Sequence, residues 1–285
     1  AVQARLPQDS MPSARARACL LQAVWWSQEG GLQLPELGAE DEAWAEGKLA
    51  QRAADGLAEL EGRSFGFVYT GKKGRAEFKP SSDASFADEE SKATWATAWF
   101  SGRAVDAVGT LLARGLGKRT GTVFVDSAGT RTSKTEHFRL PTAERVAAIT
   151  RHAGVERVER VVMAYSIPKT HWLCYVYVAE QSQWFSLNSS TGLTTPTPSA
   201  ADLADLAELF TGSRPEAHAP IAVPVQQQED GYSCGPFTCL NLACIFSGRA
   251  PPEVADARDL RKRLLLAFRS DTLVPLGLEG VAGPA

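Results

Sequence analysis

No apolar run in the chain reaches the roughly 20 residues that a helix needs to span a bilayer, so no membrane partner is expected. An excess of charge of one sign is missing too. Thirty Lys and Arg stand against 33 Asp and Glu, a net charge of −3. A chain so balanced has no broad positive field for a phosphate backbone, and no nucleic acid is expected as a partner. The basic run Gly71-Lys-Lys-Gly-Arg is short and reads as a hairpin turn. The five cysteines are Cys19, Cys174, Cys234, Cys239 and Cys244. An odd, sparse set does not make a disulfide framework, and reduced thiols imply an intracellular setting, nuclear or cytoplasmic. Cys234, Cys239 and Cys244 lack the spacing of zinc ligands, so neither a metal nor another cofactor is expected. Gly115-Leu-Gly-Lys-Arg-Thr is not a phosphate loop: Leu112 stands where the first glycine belongs, and Lys118 is followed by Arg119. No internal repeat occurs. Residue 1 is Ala, so the chain reads as a fragment or a processed product, with any targeting segment outside it.

Apolar residues make up 44% of the 285 positions and charged residues 22%, enough to build a real core. Periodicity places helices over 17–27, 39–61, 99–114, 141–153, 201–210, 234–246 and 253–268. Pro141 is taken as the first helical residue of its segment, where a missing N–H is harmless. In the helix over 99–114, Val105, Val108, Leu111 and Leu112 face inward. Strands are expected over 64–69, 121–126, 157–167, 172–178, 183–187 and 221–225. Residues 80–91 and 192–200 read as loops. The mixture is α+β. The first of these loops marks a boundary between an N-terminal extension, 1–85, and a domain over 86–285.

One group of residues offers a complete chemical mechanism. Cys234 lies in Gln228-Glu-Asp-Gly-Tyr-Ser-Cys-Gly-Pro-Phe-Thr-Cys, at the start of a helix. The free N–H groups and dipole of that helix start would favour a thiolate. His171 lies in Ile167-Pro-Lys-Thr-His-Trp, a break followed by a strand, and would act as base. A hairpin turning near Gln181 returns the chain to Asn188, in Trp184-Phe-Ser-Leu-Asn-Ser, beside His171. Asn188 could then accept from the imidazole N–H and set its tautomer. Gln228 could donate to an oxyanion together with the Cys234 backbone N–H, although Gln226 and Gln227 adjoin it. Taken singly, Cys234 reads as a buried structural thiol, Asn188 as turn chemistry and Gln228 as part of a polar surface triplet. His137, His152 and His218 have no motif around them. Cys239 and Cys244 read as small core residues.

Those three stretches resemble the ULP/SENP family of cysteine proteases, which process SUMO and related ubiquitin-like proteins. More weakly, Trp99-Phe-Ser-Gly-Arg-Ala-Val-Asp-Ala-Val resembles the family's early Trp-Leu-x-Asp helix. The resemblance spans roughly residues 90–270. It implies the papain-like fold of the ULP/adenain type, a central mixed sheet flanked by helices. It also implies a thiol protease cutting the C-terminal (iso)peptide bond of a ubiquitin-like modifier (SUMO, NEDD8 or ubiquitin) or its conjugates. His171 would be the base, Cys234 the nucleophile, Gln228 the oxyanion donor, and Trp172 and Trp99 the walls of a tunnel for a Gly-Gly C-terminus. The chain departs from the pattern at Asn188, where the family carries Asp, at Ser233, where Asp is common, and at Pro236. The acidic residue that follows the early Trp is absent. Two other readings stand beside this one: a YopJ-type cysteine acyltransferase, and a non-catalytic binder of ubiquitin-like proteins.

Overall fold

The computed structural model describes residues 31–53, 67–72, 75–80, 93–127, 138–167, 171–190, 198–252 and 255–281. The helix expected over 17–27 lies outside them, as do most of the loops expected over 80–91 and 192–200. Helices are α1 (Ala39–Ala50), α2 (Gly102–Thr120), α3 (Ala143–Ala153), α4 (Ala200–Thr211), α5 (Cys234–Ser247) and α6 (Ala257–Ser270). Strands are β1 (Phe67–Lys72), β2 (Arg75–Pro80), β3 (Thr122–Val125), β4 (Arg160–Ile167), β5 (His171–Val178), β6 (Gln183–Leu187) and β7 (Ile221–Val223).

β1 and β2 form a separate antiparallel hairpin; the other five strands form one sheet in the order β3-β4-β5-β6-β7. The outer pairs, β3/β4 and β6/β7, are parallel, and the inner pairs are antiparallel. The sheet is therefore mixed. β5, in its centre, is buried at every residue, so both sheet faces are covered. Alternation along β5 sends Cys174 toward α5, where its S–H donates to the Thr238 carbonyl (3.8 Å). It sends Tyr177 to the other face, against Trp184, whose indole N–H donates to the Leu203 carbonyl of α4 (2.8 Å). α5 is buried along its full length and lies between β5, α2 and α6. A helix buried all round needs apolar residues all round, and Cys-Gly-Pro-Phe-Thr-Cys-Leu-Asn-Leu-Ala-Cys-Ile-Phe-Ser supplies them. Each fully buried Leu or Phe here stabilises the fold by about 1.5–3 kcal/mol relative to an exposed one.

Several element bounds differ from the sequence expectation for physical reasons. The helix expected over 39–61 ends at Ala50, where Gln51 turns extended and pairs with the chain at 93–96. Pro141 precedes the cap of α3: Thr142 is the N-cap, its hydroxyl accepting from Arg145 N–H (3.3 Å). α2 starts at Gly102, capped by Ser101, and runs to Thr120 before Gly121 turns left-handed (φ 61°). Val105, Val108, Leu111 and Leu112 are buried in it, as expected.

The core is continuous across the boundary expected near residue 85. Leu32, Leu49, Ala53 and Phe67 join the same apolar cluster as the sheet and the later helices. Backbone bonds Ala53 N→Ala93 O (3.0 Å) and Trp95 N→Gln51 O (3.0 Å) tie the early segment to the chain entering α2. α1 also docks on α6 through ion pairs, Lys262 with Glu42 and Glu46, Arg258 with Glu46, and Arg269 with Asp41.

Candidate active site

The hairpin β5–β6 delivers the first two residues. Its ladder runs from Val178↔Gln183 to Cys174↔Leu187, around a 3-10 turn at Ala179–Gln181 closed by left-handed Ser182. Continuing that register sets Asn188 opposite Leu173, which shares a sheet face with His171. The Asn188 side chain reaches the imidazole: His171 Nε2 lies 2.6 Å from Asn188 Oδ1. Ser190 N–H donates to the same oxygen (2.9 Å), so the amide is turned with its oxygen toward the ring. An amide oxygen only accepts, so Nε2 carries the proton and Nδ1 keeps a free lone pair. The hairpin thus sets a tautomer whose Nδ1 can accept a proton.

Cys234, the candidate nucleophile, arrives on α5. Among the other late helices, α2, α3, α4 and α6 all have an N-cap side chain bonded to their first turn; α5 does not. Its N-cap, Ser233, instead donates its hydroxyl to Asp230 Oδ2 (2.7 Å). Asp230 Oδ1 also accepts from Tyr232 N–H (2.9 Å) and Ser233 N–H (2.7 Å), folding the chain into the helix. The first N–H groups of α5 stay available to the sulfur. Gly235 N–H and Cys234 N–H both favour the thiolate, as does the backbone N–H of Trp172, donated from the strand beside His171. Gly235 is required by packing, because a Cβ there would lie 2.7 Å from the Phe100 Cβ.

Burial outweighs those donors. Cys234 and His171 are each 1% exposed. Burial pushes the Cys234 thiol above its ordinary range, against the backbone donors and the charge of Arg261. Burial likewise pulls His171 below the ordinary imidazole value, against the Asn188 bond. The expected helix-start donors are present, but the depressed thiol pKa expected from them is not. Both directions favour a resting pair of neutral thiol and neutral imidazole.

The three adjacent glutamines are distinguished by how their amide donors are engaged. Gln226 exchanges two bonds with the Ala255 backbone. Gln227 uses its N–H₂ on the carbonyls of Asn188 (3.1 Å) and Val225 (2.9 Å). Gln228 donates once, to Asp230 O (2.6 Å), while its oxygen accepts from Ser189 Oγ (2.9 Å). Gln227 thus commits both amide N–H groups to carbonyls, whereas Gln226 and Gln228 each keep one that is not so committed among the described residues. The Gln228 backbone N–H donates to Ser189 O (2.8 Å), which fastens the loop before Cys234 to the end of the hairpin that carries Asn188.

Trp172 is buried, and its indole N–H donates to Phe100 O (3.1 Å), the residue after half-buried Trp99. The structure therefore joins the Trp172 side chain to the main chain next to Trp99, at the entrance to α2. Beneath it Asp106 accepts from Ser127 N–H (2.8 Å) and Ser127 Oγ (2.7 Å). Its carboxyl is pushed up to about 8, first by burial and then by Asp126. Asp230, Ser189 and Arg261 were not anticipated from the sequence. Asp230-Gly231 is a turn signature that could have been read; the place of Arg261 follows only from packing. A cavity of about 540 Å³ beside the loop is lined by Gln227, Asp230, Tyr232, Ser233 and Arg261 among others, but not by Cys234 or His171. It adjoins the loop that leads into Cys234 and is not lined by that residue. Among the described residues no cluster of His, Cys, Asp and Glu could hold a metal ion, and no helix is long and apolar enough to cross a membrane.

No protein-family model matches the chain, and no curated protein matches it in sequence. Solved structures do match. The fold they define is that of a papain-like cysteine peptidase, α+β with a central mixed sheet flanked by helices. More narrowly, it is the fold of the Ulp1-type catalytic domain. The SUMO protease Ulp1, with its catalytic cysteine oxidised to a sulfenic acid, aligns at a TM-score of 0.54 and 14% identity, covering 85% of this chain and 99% of that one. The C-terminal Ulp1 protease domain in complex with Smt3, the yeast ortholog of SUMO, gives 0.54 at 16%, covering 85% and 99%. The catalytic domain of the Chaetomium thermophilum Ulp1-like SUMO protease gives 0.51 at 16%, covering 85% and 92%.

Proposed function

We propose that this chain is a thiol protease that cleaves the C-terminal peptide or isopeptide bond of a ubiquitin-like modifier such as SUMO. The observation that carries this reading is the meeting of three chain segments. Asn188 holds the His171 tautomer, and Trp172, next in sequence, lies against Gly235 beside Cys234, where its backbone N–H favours the thiolate. In the reaction, His171 Nδ1 takes the thiol proton as the sulfur attacks the scissile carbonyl carbon. The oxygen's developing charge is met by the Cys234 N–H and the remaining Gln228 N–H. Collapse breaks the C–N bond, and the imidazolium returns its proton to the leaving amine. Water then attacks the thioester with His171 again as base, releasing the modifier's carboxylate and restoring the thiol.

The enclosure of the site bears on the substrate. A sulfur and an imidazole each 1% exposed, walled by Trp172 and Phe100, admit a thin chain without side chains. A Gly-Gly C-terminus fits that description, with Trp99 and Trp172 lining its path. We also propose that the catalytic unit takes in residues 31–53 and 67–80, since residues 49–53 brace the wall at 93–96.

A second reading, a non-catalytic binder of ubiquitin-like proteins, draws on the neutral resting pair and on uncharged Asn188. Propargyl-terminated SUMO, NEDD8 and ubiquitin decide between them. The protease reading expects a covalent adduct at Cys234 with at least one, and release of an amine from the corresponding conjugate. Binding of a modifier without adduct overturns it in favour of the binder. Transfer of acetyl from acetyl-CoA to a lysine peptide, with no adduct, overturns it in favour of an acyltransferase.

A further inference from the structure

Arg261 sits on the buried face of α6, 1% exposed, on the side that Leu264, Leu265 and Phe268 also occupy. Among the described residues its guanidinium bonds to no carboxylate. Nη1 donates to Trp95 O (3.0 Å) and Ala98 O (2.8 Å), and Nη2 donates to Tyr232 O (2.7 Å). The first two carbonyls belong to the segment that leads into Trp99 and Phe100. The third lies two residues before Cys234. The guanidinium carbon lies 5.4 Å from the Phe100 ring and 5.3 Å from the Tyr232 ring. Phe100 in turn packs on Gly235 and accepts from the Trp172 indole. One side chain thus touches both walls of the cleft and the turn into the nucleophile's helix.

We infer that Arg261 is a positioning residue for the thiol chemistry of Cys234: it clamps the two walls together through three backbone carbonyls and holds a fixed positive charge behind the sulfur. This rests on the protease reading for its consequence in catalysis, but not for its effect on the thiol. The charged and titratable groups that face this region are His171 on β5, Glu229, Asp230 and Tyr232 in the loop, Cys234 itself, Asp256 at the N-cap of α6, and Arg258 and Arg261 on α6. Asp230 has its oxygens engaged by Tyr232 N–H, Ser233 N–H and Ser233 Oγ. Asn188 contributes a dipole and no charge. A buried cation satisfied by carbonyls, without a hydrogen-bonded counter-ion, keeps its field for a negative charge that forms nearby. The thiolate is such a charge. Burial brings the Arg261 pKa down to about 10, which leaves it cationic at neutral pH. Its Nε is buried with no partner among the described residues, so the site tolerates an incompletely bonded donor to keep the charge in place. Arginine suits the task because its planar fork spans three acceptors, which a single ammonium on a flexible stem does not.

The test uses the full chain with Arg261→Gln and Arg261→Lys, and Cys234→Ser as the blank. The rate of alkylation of Cys234 by iodoacetamide is followed against pH on the peptide that contains it, alongside thermal unfolding. No modifier is needed, so the outcome is independent of whether the chain is a protease. Arg261→Gln is expected to raise the apparent thiol pKa by about one unit, a roughly tenfold slower alkylation at pH 7. Arg261→Lys is expected to restore alkylation to within about threefold of wild type, because the charge returns. On a modifier substrate it should still lose roughly tenfold in kcat, because the clamp does not return. A folded Arg261→Gln protein whose alkylation profile superimposes on wild type overturns the electrostatic role. A folded Arg261→Lys protein with wild-type kcat overturns the clamp. Unfolding of both variants overturns the inference altogether and leaves Arg261 as a packing residue. Should Cys234 show the shift but form no modifier adduct, the inference about the thiol stands and the protease reading fails.

Discussion

His171 and Asn188 stand at the open end of β5 and β6, placed by two regular main-chain ladders. Cys234 follows residues 224–233, which belong to no strand or helix and are held by side chains. Asp230 folds the turn, Gln226 and Gln227 pin the loop to Ala255 and Asn188, and Arg261 holds the Tyr232 carbonyl. The two regions therefore respond differently to substitution. A side chain removed from the end of a ladder takes away its chemistry and leaves the backbone where it was. A side chain removed from the loop takes away part of what places Cys234. The half of the site that is easiest to damage geometrically is thus the half that carries the proposed nucleophile.

The largest effect is expected where both regions converge. Cys234→Ser should reduce hydrolysis to background while leaving the thermal unfolding transition within a few degrees of wild type. A hydroxyl is far less acidic than a thiol, and a buried site that already pushes the thiol upward has no means to ionise it. Near-wild-type turnover of the serine variant would remove the thiol mechanism and with it the comparison. Cys239→Ser and Cys244→Ser, buried in the middle of α5, should lower the unfolding temperature rather than kcat.

Next comes the loop. Gln228→Ala should lower kcat by roughly 10²–10³-fold, the usual consequence of losing one oxyanion donor. KM should change little if the effect is purely chemical, since the charge it meets exists only in the transition state. The variant also deletes the bonds to Ser189 and Asp230, so a rise in KM alongside the fall in kcat would mean that the loop has moved as well. Gln227→Ala is the control. If it damages kcat while Gln228→Ala does not, the oxyanion role belongs one residue earlier.

The same division decides what could be read from the sequence. The hairpin was legible because alternating apolar residues and a short turn leave few registers, and the register alone puts Asn188 near His171. The start of α5 was legible because Gly-Pro after Cys234 opens an apolar run. Which glutamine bonds to which partner was not, because three neighbours of identical chemistry are told apart only by Ala255, Asn188 and Asp230, remote or unremarkable in sequence. Arg261 was hidden for a related reason: a charge in the apolar stripe of a helix reads as an irregularity until its carbonyl partners, more than 160 positions away for Trp95 and Ala98, are known. The packing of residues 31–53 against α6 was hidden too. Their polar, glycine-interrupted pattern gives no sign that Leu32 and Leu49 enter the main core.

On the ladder side the effects should be smaller and purely chemical. Asn188→Ala should lower kcat by about 10–10³-fold, because the ring loses its orienter while the sulfur and its backbone donors remain. Because Cys174↔Leu187 already closes the ladder, the unfolding temperature should hardly move. A large loss of stability in Asn188→Ala would break the contrast between ladder and loop.

The smallest effect, and the sharpest probe, is Asn188→Asp. In the wild type His171 is pulled below the ordinary imidazole value of 6.5, chiefly by burial. The base therefore stays unprotonated further into acid, and the acid limb of the kcat/KM profile should lie below that value. A carboxylate at position 188 would favour imidazolium and raise the pKa. As pH falls, the ring would then take its proton earlier, so the acid limb should move up toward neutrality. As pH rises, the proton shared by thiol and imidazole would be lost later, so the alkaline limb should move up as well. The whole window should shift upward, with kcat at its plateau kept or raised, since an ion pair with the thiolate gains the charge that asparagine lacks. The geometry should tolerate the change because the oxygen that meets Nε2 and Ser190 N–H is retained. Kinetics from pH 5 to 9 on a modifier substrate would check it. Superimposable profiles for the wild type, Asn188→Asp and Asn188→Ala would mean that the 2.6 Å contact has no part in the chemistry, and the orienting group would then have to come from outside the hairpin.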